Sequence, residues 1–381
     1  MGCHAYQNCG GCVFRELDFK TYQAKKEKQV KDFLEEKLGD LRSVWQRPIF
    51  LNDGSRRRAA FAFTVKKNKL VFGFNEIQSS QIVDIKNCLM LTDKINRILP
   101  DLIKFLETLC DIQVTKKIKA KKFETVRILS GDLQVLDAEN GLDVVLETAE
   151  CLELEHRVAI CDFVNAHDEL IRFSWRKKHV YQAEPILEKT QPFIKICDFD
   201  VFVAPGDFLQ ASKEGEQVLV KLVKEGLEGI KGKVADLFCG IGTFSYALAT
   251  IDGVKVVASD VSDSLLKGFK KTLDKQMIHN IEICQKNLFL YPFTAEELAG
   301  FKAVVFDPPR AGAKAQVKEL CQVSAEVRPS RIVAVSCNVE TFSHDAQMLI
   351  NAGYFLEKIT LVDQFVYSNH SEVVAVFTNQ K

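Results

Sequence analysis

The 381-residue chain lacks an excess of either charge, since Lys plus Arg and Asp plus Glu stand at 51 each. No global positive field advertises a polyanion partner, so any nucleic-acid surface has to be a local patch. Long hydrophobic runs are missing too. No stretch approaches the roughly 18 apolar residues of a membrane span, and the N-terminus lacks the basic-then-apolar order of a signal peptide. A membrane or secreted protein is therefore not expected, and the cytoplasm is. Internal repeats and low-complexity tracts are also absent, and 47% hydrophobic with 27% charged residues excludes disorder as the main character. Cysteine, by contrast, is plentiful. Twelve thiols without a secretory signal point to a reducing compartment, where they serve as metal ligands, nucleophiles or core residues rather than disulfides.

At about 100–200 residues per domain, the length allows two domains or three. Residues 1–205 read as an α+β, β-rich domain. Phe19–Leu38 is a charged helix with Val30, Phe33 and Leu34 on its buried face, and Leu91–Leu109 is a second helix. RRRAAFAFTVKKNKLVFGFN reads as two strands turning at Lys67–Asn68, and TVRILSGDLQVLDAENGLDVVLE repeats the rhythm with Gly131 and Asn140–Gly141 as turns. Residues 206–381 change grammar. A helix over Leu209–Leu227 precedes KVADLF, after which short apolar runs (VKVVAS, IEIC, KAVVF, RIVAVS, FLEKITLV, EVVAVF) alternate with helical segments. Such continuous apolar strands belong to a doubly wound, Rossmann-like α/β domain. The last two runs leave no room for a helix between them and are expected to pair antiparallel.

The chemistry sits in the second domain. Asp236-Leu-Phe-Cys-Gly240-Ile-Gly242-Thr-Phe follows a strand and opens a helix, so Gly240 and Gly242 let a ligand approach the backbone. Asp260, twenty residues after Gly240 at the end of the next strand, can accept hydrogen bonds from ribose hydroxyls. A dinucleotide site wants a third glycine where Ser245 stands, so S-adenosylmethionine, which has no pyrophosphate, fits better. Asp307-Pro-Pro-Arg310 caps another strand at the same sheet edge, a pattern also suited to amino-methyltransferases acting on bases. Cys337, in Ser336-Cys-Asn338, changes the reaction class. The C5 carbon of uracil is a poor nucleophile until a thiolate adds at C6, and a base must later remove the C5 proton. Glu372, in His370-Ser-Glu, is the candidate base. Cys239, Cys284 and Cys321 sit in apolar runs and are expected in the core.

These motifs carry a family. C-x5-C-x2-C, F-L-Q, DLFCGIGTF, DPPR, VSCN and HSE stand in this order, and nearly the whole chain resembles the RNA 5-methyluridine (uracil-C5) methyltransferases that carry an iron–sulfur cluster. The resemblance implies Cys337 as nucleophile, Glu372 as proton acceptor, and a donor site of Gln210, Phe238, Thr243, Asp260, Asn287 and Asp307. Asp260 stands where the family usually has Glu, and Thr243 where Asn is common. Cys3, Cys9 and Cys12 need a fourth ligand, and the family places it in the segment that holds Cys88. Spacing alone leaves zinc open, since four thiolates suit both metals; the preference for a 4Fe–4S cluster comes from the resemblance. The proposed reaction needs no electron transfer, so the cluster is expected to be a structural staple.

The implied partner is RNA. Two basic runs answer the neutral total: Arg56, Arg57, Arg58, Lys66, Lys67 and Lys69, interleaved with Phe61 and Phe63, and Lys116, Lys117, Lys119, Lys121 and Lys122. Phe61 and Phe63 share a strand face, where such aromatics are more often core residues than base-stacking platforms. The target uridine has to be single-stranded or flipped out. A short chain opening on the cysteine cluster favours 23S rRNA over tRNA, and a monomer is expected. The rivals are an amino-methyltransferase, which needs no covalent Cys, and an RNA-binding factor without catalysis.

Overall fold

The protein is described here by a computed structural model of residues 2–119 and 122–379; the side chains of residues 116–124, and with them the second basic run, lie outside the description. In chain order the first elements are α1 (Phe19–Leu38), β1 (Ile49–Phe50), β2 (Arg58–Lys66), β3 (Lys69–Asn75), β4 (Ile82–Asp84), α2 (Asp93–Asp111), β5 (Val114–Lys119), β6 (Lys122–Val126), β7 (Ser130–Ala138) and β8 (Gly141–Thr148). Then come α3 (Leu154–Asn165), β9 (Leu170–Lys177), β10 (Glu184–Glu188), β11 (Phe193–Ile196), β12 (Phe199–Phe202), α4 (Lys213–Gly226), β13 (Gly232–Leu237), α5 (Thr243–Ala249) and β14 (Val254–Asp260). The chain continues through α6 (Asp263–Lys275), β15 (Ile281–Gln285), α7 (Ala295–Leu298), β16 (Ala303–Phe306), α8 (Lys314–Gln322), β17 (Arg331–Ser336), α9 (Val339–Asn351), β18 (Phe355–Asp363) and β19 (Glu372–Thr378).

These elements form two compact units: residues 1–15, 52–194 and 202–212, and residues 16–51, 195–201 and 213–381. The expected division at 205/206 thus differs in what it does with residues 16–51. Asp18 caps α1 by accepting from the Thr21 N–H at 3.0 Å, and Gly39 ends the helix at φ 87°. Val30 and Leu34 then pack into the same core as Ala346 and Leu349 of α9, while β1 pairs with β18 through Ile49 and Val362. Those contacts draw the N-terminal helix into the second unit.

The first unit is built on a seven-stranded sheet in the order β10-β9-β8-β7-β2-β3-β4. Its neighbours run antiparallel except β8 and β9. Lys67 and Asn68 adopt φ of 49° and 60°, the left-handed pair of a two-residue hairpin turn. Alternation along β2 sends Phe61 and Phe63 inward against Leu99, Leu102 and Leu106 of α2, leaving them 0% and 1% exposed. They are core residues, the role favoured for two aromatics on one strand face. Gly131 is not a turn but lies inside β7, where a Cβ would stand 2.3 Å from the Glu147 carbonyl oxygen and 2.8 Å from the Phe63 ring. Residues 209–212 are not helical, because Ala211 accepts from the Arg57 N–H at 3.1 Å and Ser212 bridges Arg56; the helix begins at Lys213.

The second unit carries an eight-stranded sheet in the order β1-β18-β19-β17-β16-β13-β14-β15. β13 to β17 are parallel, and β19 inserts antiparallel between β17 and β18. This is the expected doubly wound arrangement with its closing antiparallel pair. Strand order reverses at β13, flanked by β14 and β16, so the loops after these strands open at the crevice where such sheets bind ligands. No helix among the described residues is long and apolar enough to cross a membrane.

Candidate active site

The loop leaving β13 is held in an unusual backbone. Phe238 has φ of 60°, a left-handed value that a bulky side chain adopts only when its surroundings impose it, and Gly240 and Gly242 follow at 55° and 91°. At Gly242 a Cβ would lie 2.4 Å from the Phe269 ring, so packing against α6 demands glycine. Asp260, at the end of β14, accepts from the Gly240 N–H at 3.0 Å through one oxygen and from the Ser262 N–H at 2.9 Å through the other. The carboxylate is thereby aimed, while each oxygen keeps a lone pair for a ligand hydroxyl. Asn287 follows β15 and accepts from the Phe289 N–H at 3.1 Å, placing the Phe289 ring 5.4 Å from that of Phe238. Thr243 is nine-tenths buried as the first residue of α5. Ser245, at the place of a third glycine, donates to Asp236 at 2.5 Å. Burial pushes the Asp236 carboxyl up to about 7 against that hydrogen bond, with Asp307 and Asp260 adding repulsion.

Two strands away, the register Ser336↔Val373 sets Cys337, the next residue after β17, level with Glu372, the first residue of β19. Asp307 ends β16 on the other side of β17. The three acids feel one another. Glu372 is 2% exposed, and burial, then Asp307, raises its carboxyl to about 8, although Gln364 donates to it at 2.8 Å. Burial, then Glu372 and Asp307, raises the Cys337 thiol to about 11, with Arg310 pulling the other way. Loop 307–313 is tied to α9: the Arg310 carbonyl accepts from Asn338 at 3.1 Å and Thr341 at 3.2 Å, and the Ala313 N–H donates to Asp345 at 2.8 Å. The Arg310 guanidinium lies 3.0 Å from His370 Nε2. Gln364 and the Arg310–His370 pair were not singled out in the sequence. A polar residue inside the apolar run LVDQFVY was the available signal for Gln364.

The second unit thus brings together Phe238, Gly240, Gly242, Thr243, Asp260, Asn287, Asp307, Cys337 and Glu372 along one sheet edge. Gln210 is not among them. It belongs to the first unit, buried, with its carbonyl accepting from Arg57 at 3.2 Å. Arg57 is itself buried, which removes it from the expected solvated basic patch; Lys66, Lys67 and Lys69 are exposed. The first unit also gathers the cysteines. Cys88 is raised to about 11 by burial and then by Cys12, Cys3 and Cys9. Asn96 holds the Cys88 backbone from both sides at 2.9 and 3.0 Å, and Arg15, paired with Asp53 at 2.6 Å, draws the Cys12 thiol down against burial. Among the described residues, however, no group of three or more His, Cys, Asp or Glu is arranged to hold a metal ion. Cys239 is buried as expected, while Cys284 and Cys321 are half-buried against the core.

Residues 18–380 match the family model described as tRNA (Uracil-5-)-methyltransferase. The chain belongs to that family. It is an RNA uracil-C5 methyltransferase. This methyltransferase is 32% identical over 379 residues to an uncharacterized RNA methyltransferase of Brucella melitensis, covering 99% of this chain and 83% of that one. It is 27% identical to the 23S rRNA (uracil(1939)-C(5))-methyltransferase of Alteromonas naphthalenivorans, covering 100% of this chain and 76% of that one. Its fold is similar to that of Pyrococcus abyssi tRNA (uracil-54, C5)-methyltransferase in complex with S-adenosyl-L-homocysteine. There the TM-score is 0.73 at 24% identity, over 97% of this chain and 86% of that one.

Proposed function

We propose that the methyltransferase transfers a methyl group from S-adenosylmethionine to C5 of a uridine in 23S rRNA by covalent catalysis through Cys337. The observation that carries this reading is the level placement of Cys337 and Glu372 on adjoining strands, with Asp307 beside them. The Cys337 thiolate adds to C6 and the C5=C6 electron pair moves into the C4 carbonyl as an enolate. C5 then attacks the donor methyl, whose sulfonium supplies an electrophilic carbon and leaves as a neutral thioether. Glu372 takes the C5 proton; the C5–H electrons re-form C5=C6 as the C6–S bond breaks, returning the thiolate. A thiol near 11 in the free protein is a weak nucleophile, so a cationic donor beside Asp307 also helps by offsetting the negative field on Cys337. Asp260, Asn287 and the glycine loop hold the nucleoside end of the donor.

We further infer that Cys3, Cys9, Cys12 and Cys88 hold a 4Fe–4S cluster. The C-x5-C-x2-C spacing and the family resemblance support this reading. Four thiolates would suit zinc as well, and the choice of a 4Fe–4S cluster comes from the family resemblance. The cluster would staple residues 3–12 to the segment around Cys88 and takes no part in methyl transfer.

The test is mass spectrometry of nucleosides from RNA incubated with protein and labelled donor, using ribosomal and transfer RNA from a strain without uracil-C5 methylation. Label in 5-methyluridine of 23S rRNA, lost in Cys337→Ala, is the expected result. Label confined to tRNA would overturn the substrate assignment, and label surviving Cys337→Ala would overturn the covalent mechanism.

A further inference from the structure

Helix α1 buries a lysine. Lys26 is 2% exposed, and its Nζ donates to the carbonyl oxygens of Ser368 at 2.6 Å and His370 at 2.5 Å, with Asp363 Oδ1 at 3.9 Å. One turn earlier on the same face, Tyr22 donates its hydroxyl to Asp363 and stacks its ring on Tyr367 with centroids 4.5 Å apart. Every one of these groups lies in the second unit. An ammonium withdrawn from water is destabilising unless its donors are used, and an apolar residue could fill the same space at less cost. What the donors hold therefore accounts for the lysine.

They hold the connection between the last two strands. β18 ends at Asp363, the next residue is Gln364, and β19 begins at Glu372. Gln364 donates to the Glu372 carboxylate at 2.8 Å, so the base is fixed from the start of this loop as well as from its end. Tyr367, inside the loop, has φ of 61°, a backbone that persists only where neighbours impose it, and the Tyr22 ring covers it. Lys26 grips the carbonyls of Ser368 and His370, the second immediately ahead of Ser371 and Glu372. Asp363 is thus tied to Tyr22, and Ser368 and His370 to Lys26, by two residues of one helix face.

We propose that Tyr22, Lys26 and Asp363 form a positioning clamp that sets the 364–371 loop so that Glu372 meets the C5 proton of the methylated adduct. The proposal rests on the covalent mechanism above and assigns the clamp to one step of it. Glu372 is not used in thiolate addition or methyl transfer. Loss of the clamp should therefore spare those steps and slow elimination, where a displacement of about 1 Å costs on the order of 100-fold.

The experiment uses the full chain with substrate RNA and labelled S-adenosylmethionine, comparing wild type, Lys26→Met and Glu372→Gln. Lys26→Met should keep its circular dichroism and donor binding and label RNA in a single turnover. Its denaturant-stable protein–RNA adduct should decay at least about tenfold more slowly than the wild type's. Decay at the wild-type rate, or equal slowing of methylation and decay, would overturn the clamp. Absence of adduct in Glu372→Gln would instead sink the covalent reading itself, so the two failures are distinguishable. Should Lys26→Met not fold, Tyr22→Phe keeps the ring stack and removes only the hydrogen bond to Asp363. An intermediate slowing of adduct decay is expected there, and unchanged decay overturns the proposal.

Discussion

At the scale of single residues, Glu372 couples catalysis to stability. Its folded-state value near 8 lies above the ordinary 4.5, so between these pH values the folded protein holds a proton that the unfolded chain releases. The resulting stabilisation is fully present below about 4.5 and is lost as pH rises through about 8. Glu372→Gln removes this dependence. The melting temperature of the variant relative to wild type should therefore climb from pH 5 to pH 8.5 in thermal denaturation, and a constant gap would refute the burial account. The same carboxyl must be ionised to act as base, so decay of the covalent adduct should quicken with pH up to about 8. The roles of Cys337 and Glu372 could be read from SCN and HSE because the chemistry of uracil dictates a thiol and a base. Their energetics could not. The field on Cys337 comes from Asp307 and Glu372, brought near only by strand register across thirty or more positions of sequence.

At the scale of elements, local signals settled what local forces determine. The α1 boundaries matched their expectation because Asp18 and Gly39 cap it in sequence, and the Lys67–Asn68 turn needs only its own two dihedrals. Gly131 failed as a turn because its glycine requirement arises from β8 and Phe63, which are distant in sequence. Phe61 and Phe63 are core residues because α2 covers their sheet face. Gly242 combines both kinds of demand, a left-handed φ and a ring at 2.4 Å from any Cβ. Gly242→Ala should accordingly destabilise the protein by about 2–4 kcal/mol, read as a shift in the denaturant midpoint. It should also weaken donor binding measured by calorimetry, since the strained loop of Phe238 to Gly242 moves with it. Unchanged stability would mean that α6 yields more readily than its buried Phe269 suggests.

At the scale of the whole molecule, the cysteines and the discontinuous second unit matter most. Cys12→Ser should lower iron content and visible absorption of the purified protein and reduce its soluble yield. Equal iron in both proteins, or a zinc-loaded wild type, would refute the cluster assignment. The placement of residues 16–51 was not legible in the sequence, because a charged amphipathic helix does not state which core its apolar edge will meet. That placement has a consequence for synthesis. The final strand β19 lies inside the sheet between β17 and β18, while α1, which covers its entry loop, leaves the ribosome first. At about 5–20 residues per second, the helix waits roughly 20–70 s for the strand it will brace. Until β19 emerges, the nascent enzyme has neither its base nor a closed sheet. Methylation can begin only once β19 has been made and has taken its place between β17 and β18.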